Sequence, residues 1–238
     1  MPNVLVTGAN RGLGLALVRA LLARGDRVIG TCRQPGKATD LNRLAGDYPG
    51  RLHVLPLDVA TPKAHAELAR ELPLVLGEAE DGSAGRIDLL INNAGVLHSG
   101  ERFGQLTAAN LEDSFRTNVM GPLLLTQTLA PLLANGAKVV SISSQLGSIS
   151  GVSRFGTPSY NISKAAQNMA SALLARALDE RGITVLALHP GWVQTDMGGA
   201  GATVSAEDSA TGLLQVIDDA TPEDSGRFLD WQGEALPW

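Results

Sequence analysis

The chain has 238 residues, 44% hydrophobic and 18% charged, with a formal net charge of −5 and no block of like charge. That is enough chain for one domain with a large core, and the mild acidity argues against nucleic acid or an anionic membrane surface as the main partner. No apolar run reaches the ~20 residues needed to span a bilayer, and "MPNVLVTGAN" meets Pro, Gly and Asn too early for a secretory leader. Cys32 is the single cysteine, which suits a reducing, cytoplasmic compartment. His53, His65, His98 and His189 are scattered without metal-ligand spacing, so no metal is expected.

The first predicted strand, "NVLVT" (3–7), runs directly into "TGANRGLG", with glycines at 8, 12 and 14. A turn this tight needs residues without a Cβ where the backbone takes positive φ or approaches a ligand. The helix that follows, 13–25, would aim its free N–H groups and positive dipole end at an anion such as a dinucleotide pyrophosphate. A ligand-free strand–helix turn is the alternative. The second strand, "RVIGTC" (27–32), is followed by Arg33 with no acid nearby, and the third, "RLHVLPL" (51–57), by Asp58 and Val59. "GEAEDGSAGR" (77–86) reads as a surface loop, too short to divide two domains. The fourth strand, "IDLLIN" (87–92), leads into "NNAG" (92–95).

A long helix is predicted over 121–136, closed by a glycine, then a strand "AKVVSIS" (137–143) ending in Ser143 and Ser144. These neighbours should point in different directions at a strand end. A second long helix is predicted over 163–182. Just before it stands Tyr160, one of only two tyrosines, with Lys164 four residues on. At that spacing both side chains share a helix face. The last clear strand, "ITVLALH" (183–189), precedes Pro190, Gly191, Val193 and Thr195 in "HPGWVQTDM". The Gly/Ala-rich segment 197–208 reads as a lid over substrate or as an ordinary surface loop. Brief Val/Ile/Leu runs alternating with helical stretches predict one doubly wound α/β domain spanning 1–238, with a parallel sheet of about seven strands.

The spacing Gly-x-x-x-Gly-x-Gly resembles the cofactor turn of the short-chain dehydrogenase/reductase family, and the other landmarks follow in order: "LDV", "NNAG", Asn118 in "TNVMG", "ISS", "YNISK" and the Pro-Gly to Thr segment. The resemblance covers essentially the whole chain and implies a Rossmann fold. It implies that Tyr160 exchanges a proton with the carbonyl or alcohol oxygen and that Lys164 also holds the nicotinamide ribose. Ser144 would polarise the carbonyl, and Asn118 would anchor a water in the proton relay. Cofactor contacts would come from Gly8, Asn10, Arg11, Gly12, Leu13, Gly14, Arg33, Asp58, Val59, Asn93, Ala94, Gly95, Tyr160, Lys164, Pro190, Gly191, Val193 and Thr195. A nearby ammonium should also draw the Tyr160 phenol below its usual range.

Ser144 precedes Tyr160 by sixteen residues, a loop three residues longer than the commonest family spacing. With "SSQLGSIS", "SKAAQNM" and "GEALPW", this is similar to the C-factor and sniffer-like carbonyl reductases of the family. The expectation is an oxidoreductase acting on a small carbonyl or alcohol, preferring NADP(H) because Arg11 and Arg33 suit a 2′-phosphate, with NAD(H) as the possible substitute. Family habit implies a homodimer or homotetramer, with Trp238 as a candidate interface residue. Phe103, Phe155 and Trp192 are candidates for the substrate wall or for core, and His98 for the pocket rim. A dinucleotide-binding signalling protein of the C-factor type is the alternative function, and a reductase of carrier-linked acyl groups ranks third.

Overall fold

The computed structural model describes residues 1–77 and 85–238; most of the loop expected at 77–86 therefore lies outside the described residues. Seven parallel strands are ordered 3-2-1-4-5-6-7. They are β1 (Asn3–Thr7), β2 (Arg27–Cys32), β3 (Leu52–Pro56), β4 (Ile87–Asn92), β5 (Leu133–Ile142), β6 (Thr184–His189) and β7 (Phe228–Asp230). The α-helices are α1 (Gly12–Arg24), α2 (Thr39–Asp47), α3 (Pro62–Leu76), α4 (Ala108–Phe115), α5 (Gly121–Leu129), α6 (Pro158–Ala177) and α7 (Ala206–Asp219).

Strand alternation builds two cores, one on each face. Val4, Val6, Ile91, Val140 and Leu186 pack with Leu17 and Leu21 of α1 and Leu213 of α7. Their strand neighbours Leu5, Leu90, Val139 and Val185 pack with Leu68 and Leu72 of α3 and Leu125 of α5. Because both faces are covered, the central strands read as near-continuous apolar runs, such as Val4–Val6 and Leu89–Ile91, rather than as strict alternation with polar residues. Each such side chain contributes about 1.5–3 kcal/mol on burial. No helix among the described residues is long and apolar enough to cross a membrane.

The helix expected over 121–136 ends at Leu129, passes through a 3-10 turn (Ala130–Leu132) and becomes β5 at Leu133. Pro131 lies in that turn, where it brings no backbone N–H to continue a helix. Leu133 pairs with Ile87 before the register shifts. The helix expected from 163 instead starts at Pro158, so Tyr160 sits in its first turn. Strand order reverses between β1 and β4, and the crevice beyond their carboxyl ends is where doubly wound sheets bind dinucleotides.

Candidate active site

The glycine turn leaves β1 at Gly8, with φ +66°, and enters α1 at Gly12, with φ +52°. A Cβ on Gly14 would lie 2.2 Å from the Gly8 carbonyl oxygen, so the turn closes only without side chains there. Thr7 ties this turn to the segment after β4. Its hydroxyl accepts from the N–H groups of Asn93 and Ala94, both at 3.0 Å, while the Asn93 amide donates to the Thr7 carbonyl at 2.8 Å. Leu13 is buried in α1, and Asn10 is half-buried at the turn. The bare N–H groups of the turn, at a helix N-terminus, suit a pyrophosphate.

The adenosine side of the cradle lies toward β2. The Ala9 N–H donates to Thr31 at 2.9 Å and the Leu57 N–H to Cys32 at 2.9 Å, which sets Asp58 and Val59 beside the end of β2. Arg33 is exposed there and forms no ion pair among the described residues. Arg11 is also exposed, but its guanidinium pairs with Asp196 at 3.1 Å. The two arginines expected to act together therefore differ, one being unpaired and the other bound to the segment after β6.

On the opposite side, α6 carries Tyr160 and Lys164, both buried. Burial pushes the Tyr160 phenol up to about 12, against the lowering influence of the neighbouring Ser144 hydroxyl. The expected lowering by Lys164 is not met within the chain. The amine lies 5.5 Å from the phenol ring centroid and donates to the Ile142 carbonyl at 2.7 Å and to Gln167 Oε1 at 2.8 Å. Burial brings Lys164 itself down to about 7.

The two serines diverge as a strand end requires. Ser143 Oγ donates to Asn168 Oδ1 at 2.5 Å, away from Tyr160. Ser144 caps a short 3-10 turn (Gln145–Gly147), its hydroxyl accepting from the Leu146 N–H at 3.1 Å. Thr157, the residue before α6, holds a left-handed conformation at φ 41°. That is a strained setting for a β-branched residue, and it stands three positions before the phenol.

Asn118 is fully buried in a π-helical turn (Arg116–Met120) between α4 and α5. Its Nδ2 donates to the Val96 carbonyl and to Ser163 Oγ, both at 2.9 Å, and its Oδ1 accepts from the Val96 N–H at 2.8 Å. The side chain thus clamps the segment after β4 against α6 and has no amide hydrogen left for a water. A Cβ on Gly95 would lie 3.2 Å from Asn118 Oδ1 and 3.9 Å from Lys164 Nζ, so Asn93–Gly95 runs from the glycine turn to the lysine.

Past β6, Thr195 reaches the glycine turn: its Cγ2 lies 3.1 Å from where a Gly12 Cβ would be. Gly191 has φ +82°, Pro190 accepts from Ser209 Oγ at 2.6 Å, and Val193 bridges to Val204. The segment 197–208 is stitched down, with Trp192 Nε1 donating to the Gly198 carbonyl at 2.8 Å. A cavity of about 510 Å³ is lined there by Gln194, Thr195, Asp196, Gly199 and Ala200.

Phe103, Phe155 and Trp192 are exposed, so none is core. Phe103 and Phe155 meet edge to face at 5.6 Å, joining the loops before α4 and α6. His98 is half-buried and bonds Asp113 at 2.9 Å. Trp238 stacks on Phe228 of its own chain at 5.4 Å, and its carbonyl accepts from the Ser150 N–H at 3.1 Å. Sequence reasoning missed Thr7, Asp196 and Gln167. Gln167 stands three residues beyond Lys164 on one helix face, but that spacing alone does not separate it from a surface glutamine.

The short chain dehydrogenase pattern matches residues 2–203. The chain belongs to the short-chain dehydrogenase/reductase family. Among its relatives, it is 44% identical to the C-signal protein of Myxococcus xanthus over 156 residues, covering 65% of this chain and 94% of that one. Among solved structures, an NADPH-bound carbonyl reductase from chicken fatty liver superposes with a TM-score of 0.92 at 37% identity, covering 100% of this chain and 99% of that one. The carbonyl reductase Sniffer of D. melanogaster superposes with a TM-score of 0.93 at 32% identity over 100% of both chains.

Proposed function

We propose that this chain is an NADP(H)-dependent reductase of a small aldehyde or ketone. The observation that carries the reading is the buried pair of Tyr160 and Lys164 on one face of α6, with the Ser144 hydroxyl beside the phenol and Gly95 by the amine. When bound, the nicotinamide supplies the hydride. Ser144 donates to the carbonyl oxygen and holds it against Tyr160, which gives up its proton as negative charge develops. An alkoxide is a stronger base than a phenolate, so a phenol raised to about 12 remains a competent donor. Lys164 orients the ribose, Gly8, Gly12 and Gly14 leave room for the pyrophosphate, and Arg33 meets the 2′-phosphate. The carbonyl reductases similar to this chain support that assignment.

The reading extends to a cytoplasmic homo-oligomer. The lone, buried Cys32 fits a reducing compartment, and Ile162, Met169 and Leu173 form an exposed apolar row on α6 suited to a second copy. The similarity to C-signal favours a second reading, a dinucleotide-binding regulatory protein with little turnover. NADPH oxidation against a panel of small aldehydes and ketones separates the two. Turnover supports the reductase, whereas tight NADPH binding with none across the panel supports the regulator.

A further inference from the structure

Lys164 is 4% exposed, and its amine has two hydrogen-bond acceptors among the described residues, the Ile142 carbonyl and Gln167 Oε1. The first is backbone at the end of β5 and comes with the fold. The second is a side chain. We propose that Gln167 is a positioning residue for Lys164, its amide oxygen fixing the amine at the end of β5 in the attitude from which it grips the cofactor ribose. The proposal rests on the reductase reading above.

Three observations support it. An ammonium offers only donors, so the amide must turn its oxygen toward Lys164. Doing so leaves Gln167 Nε2 buried without a partner among the described residues, in a side chain 1% exposed. An unpaired buried N–H is unfavourable, and an apolar residue at 167 would avoid it. Finally, burial alone drives Lys164 down to about 7, and an oxygen accepting from the ammonium opposes that fall. The groups facing the amine are Tyr160 on its own helix, the Ile142 carbonyl from β5 and Gly95 after β4, while Gly147 packs on the Lys164 backbone. Tyr160 is the titratable one among them, so no carboxylate in this set shares the task with Gln167.

The test is the pH dependence of NADPH binding, read by nicotinamide fluorescence in wild type, Gln167→Met and Gln167→Glu. Steady-state kcat and KM with one aldehyde are measured alongside. Lys164 grips best when charged, so affinity falls as pH rises through its titration. Gln167→Met should move that fall down by about one pH unit and raise Kd about three- to tenfold near neutrality. Gln167→Glu should move it up by a similar amount. Titration of the 2′-phosphate near ~6 is common to all three proteins and cancels in the comparison. A fall at the wild-type pH in both variants overturns the proposal, even if activity drops. Should Gln167→Met fail to fold, the near-isosteric Gln167→Glu decides alone. Wild type that binds NADPH but reduces no aldehyde would sink the reductase reading and leave this binding test standing.

Discussion

Tyr160 is the proposed proton donor, buried on α6 with Lys164 one turn further on. Removing the phenolic hydroxyl leaves the ring packing intact, so Tyr160→Phe should bind NADPH nearly as wild type does. Its kcat should fall about 10²–10⁴-fold, the usual worth of a positioned proton donor. A variant retaining more than about a tenth of wild-type kcat would remove Tyr160 from that role. The serines offer a sharper contrast. Ser144 lies beside the phenol, whereas Ser143 donates to Asn168. Ser144→Ala should therefore lose most turnover at little cost in stability. Ser143→Ala should cost about 1–3 kcal/mol by stranding a buried Asn168 oxygen, while keeping most of kcat. Kinetics and thermal melts on the two variants read these apart, and a reversed pattern would mean the register of the loop has been misread. Adjacent serines at a strand end could be separated in principle from sequence alone, but which one faced the site needed the following turn. Lys164 stood out in the sequence by its spacing from Tyr160. Its engagement by Gln167 did not, because a glutamine in a helix reads as surface until its burial is known.

At the scale of elements, the strands were the most legible feature. Beta-branched runs such as Arg27–Cys32 and Ile87–Asn92 begin and end where apolar residues meet turn formers, and the structure keeps those limits. The stretch 121–136 misled because its leucines continue past Leu129 while Pro131 stops the helix; apolar content alone does not distinguish a helix end from the start of a buried strand. The short turn after Ser144 shows how an element sets chemistry. A Cβ on Gly147 would lie 2.8 Å from the Lys164 carbonyl carbon and 2.9 Å from its Cβ. Both are rigid parts of α6, so Gly147→Ala must push the turn and the helix apart. Such overpacking typically costs about 1–3 kcal/mol. Because the two bodies carry Ser144 and Tyr160, the displacement acts on the reacting oxygen. Gly147→Ala should lose kcat by about 10²-fold, the effect of misplacement near 1 Å, with NADPH affinity changed far less. A variant of wild-type kcat would show that the turn and α6 are not the rigid pair described.

The whole molecule gathers residues from distant parts of the chain at one edge of the sheet, with consequences for stability and for cofactor choice. His189 closes β6 with its Nδ1 unpartnered among the described residues, and burial lowers it to about 4 against the opposing pull of Asp230. A histidine lowered in the folded state takes up its proton first on unfolding. Its neutral form therefore contributes full stability above the usual value near 6.5, and that contribution is lost as pH falls toward 4. Wild type should lose on the order of 3 kcal/mol across that window from this group, and His189→Asn should flatten the loss in urea melts at matched pH. The proposed preference for a 2′-phosphate rests on Arg33 past β2 and on Arg11 of the glycine turn, which pairs with Asp196 past β6. The sequence made the two arginines look equivalent, since nothing in it showed that a residue 185 positions away would pair with one of them. Arg33, unpaired among the described residues, should carry most of the preference for a 2′-phosphate. A charge-assisted hydrogen bond contributes about 1.5–3 kcal/mol, so Arg33→Ala should cut the NADPH over NADH ratio of kcat/KM about tenfold to hundredfold. Arg11 must leave Asp196 to help, but both side chains are largely exposed, and such a pair contributes about 0.2–1 kcal/mol at most. Asp196→Asn should therefore raise the ratio no more than about fivefold. The measurement is kcat/KM for both cofactors with one carbonyl substrate. A wild-type preference for NADH, or an unchanged ratio in Arg33→Ala, would refute the assignment, and a rise in Asp196→Asn well beyond fivefold would shift the leading role to Arg11.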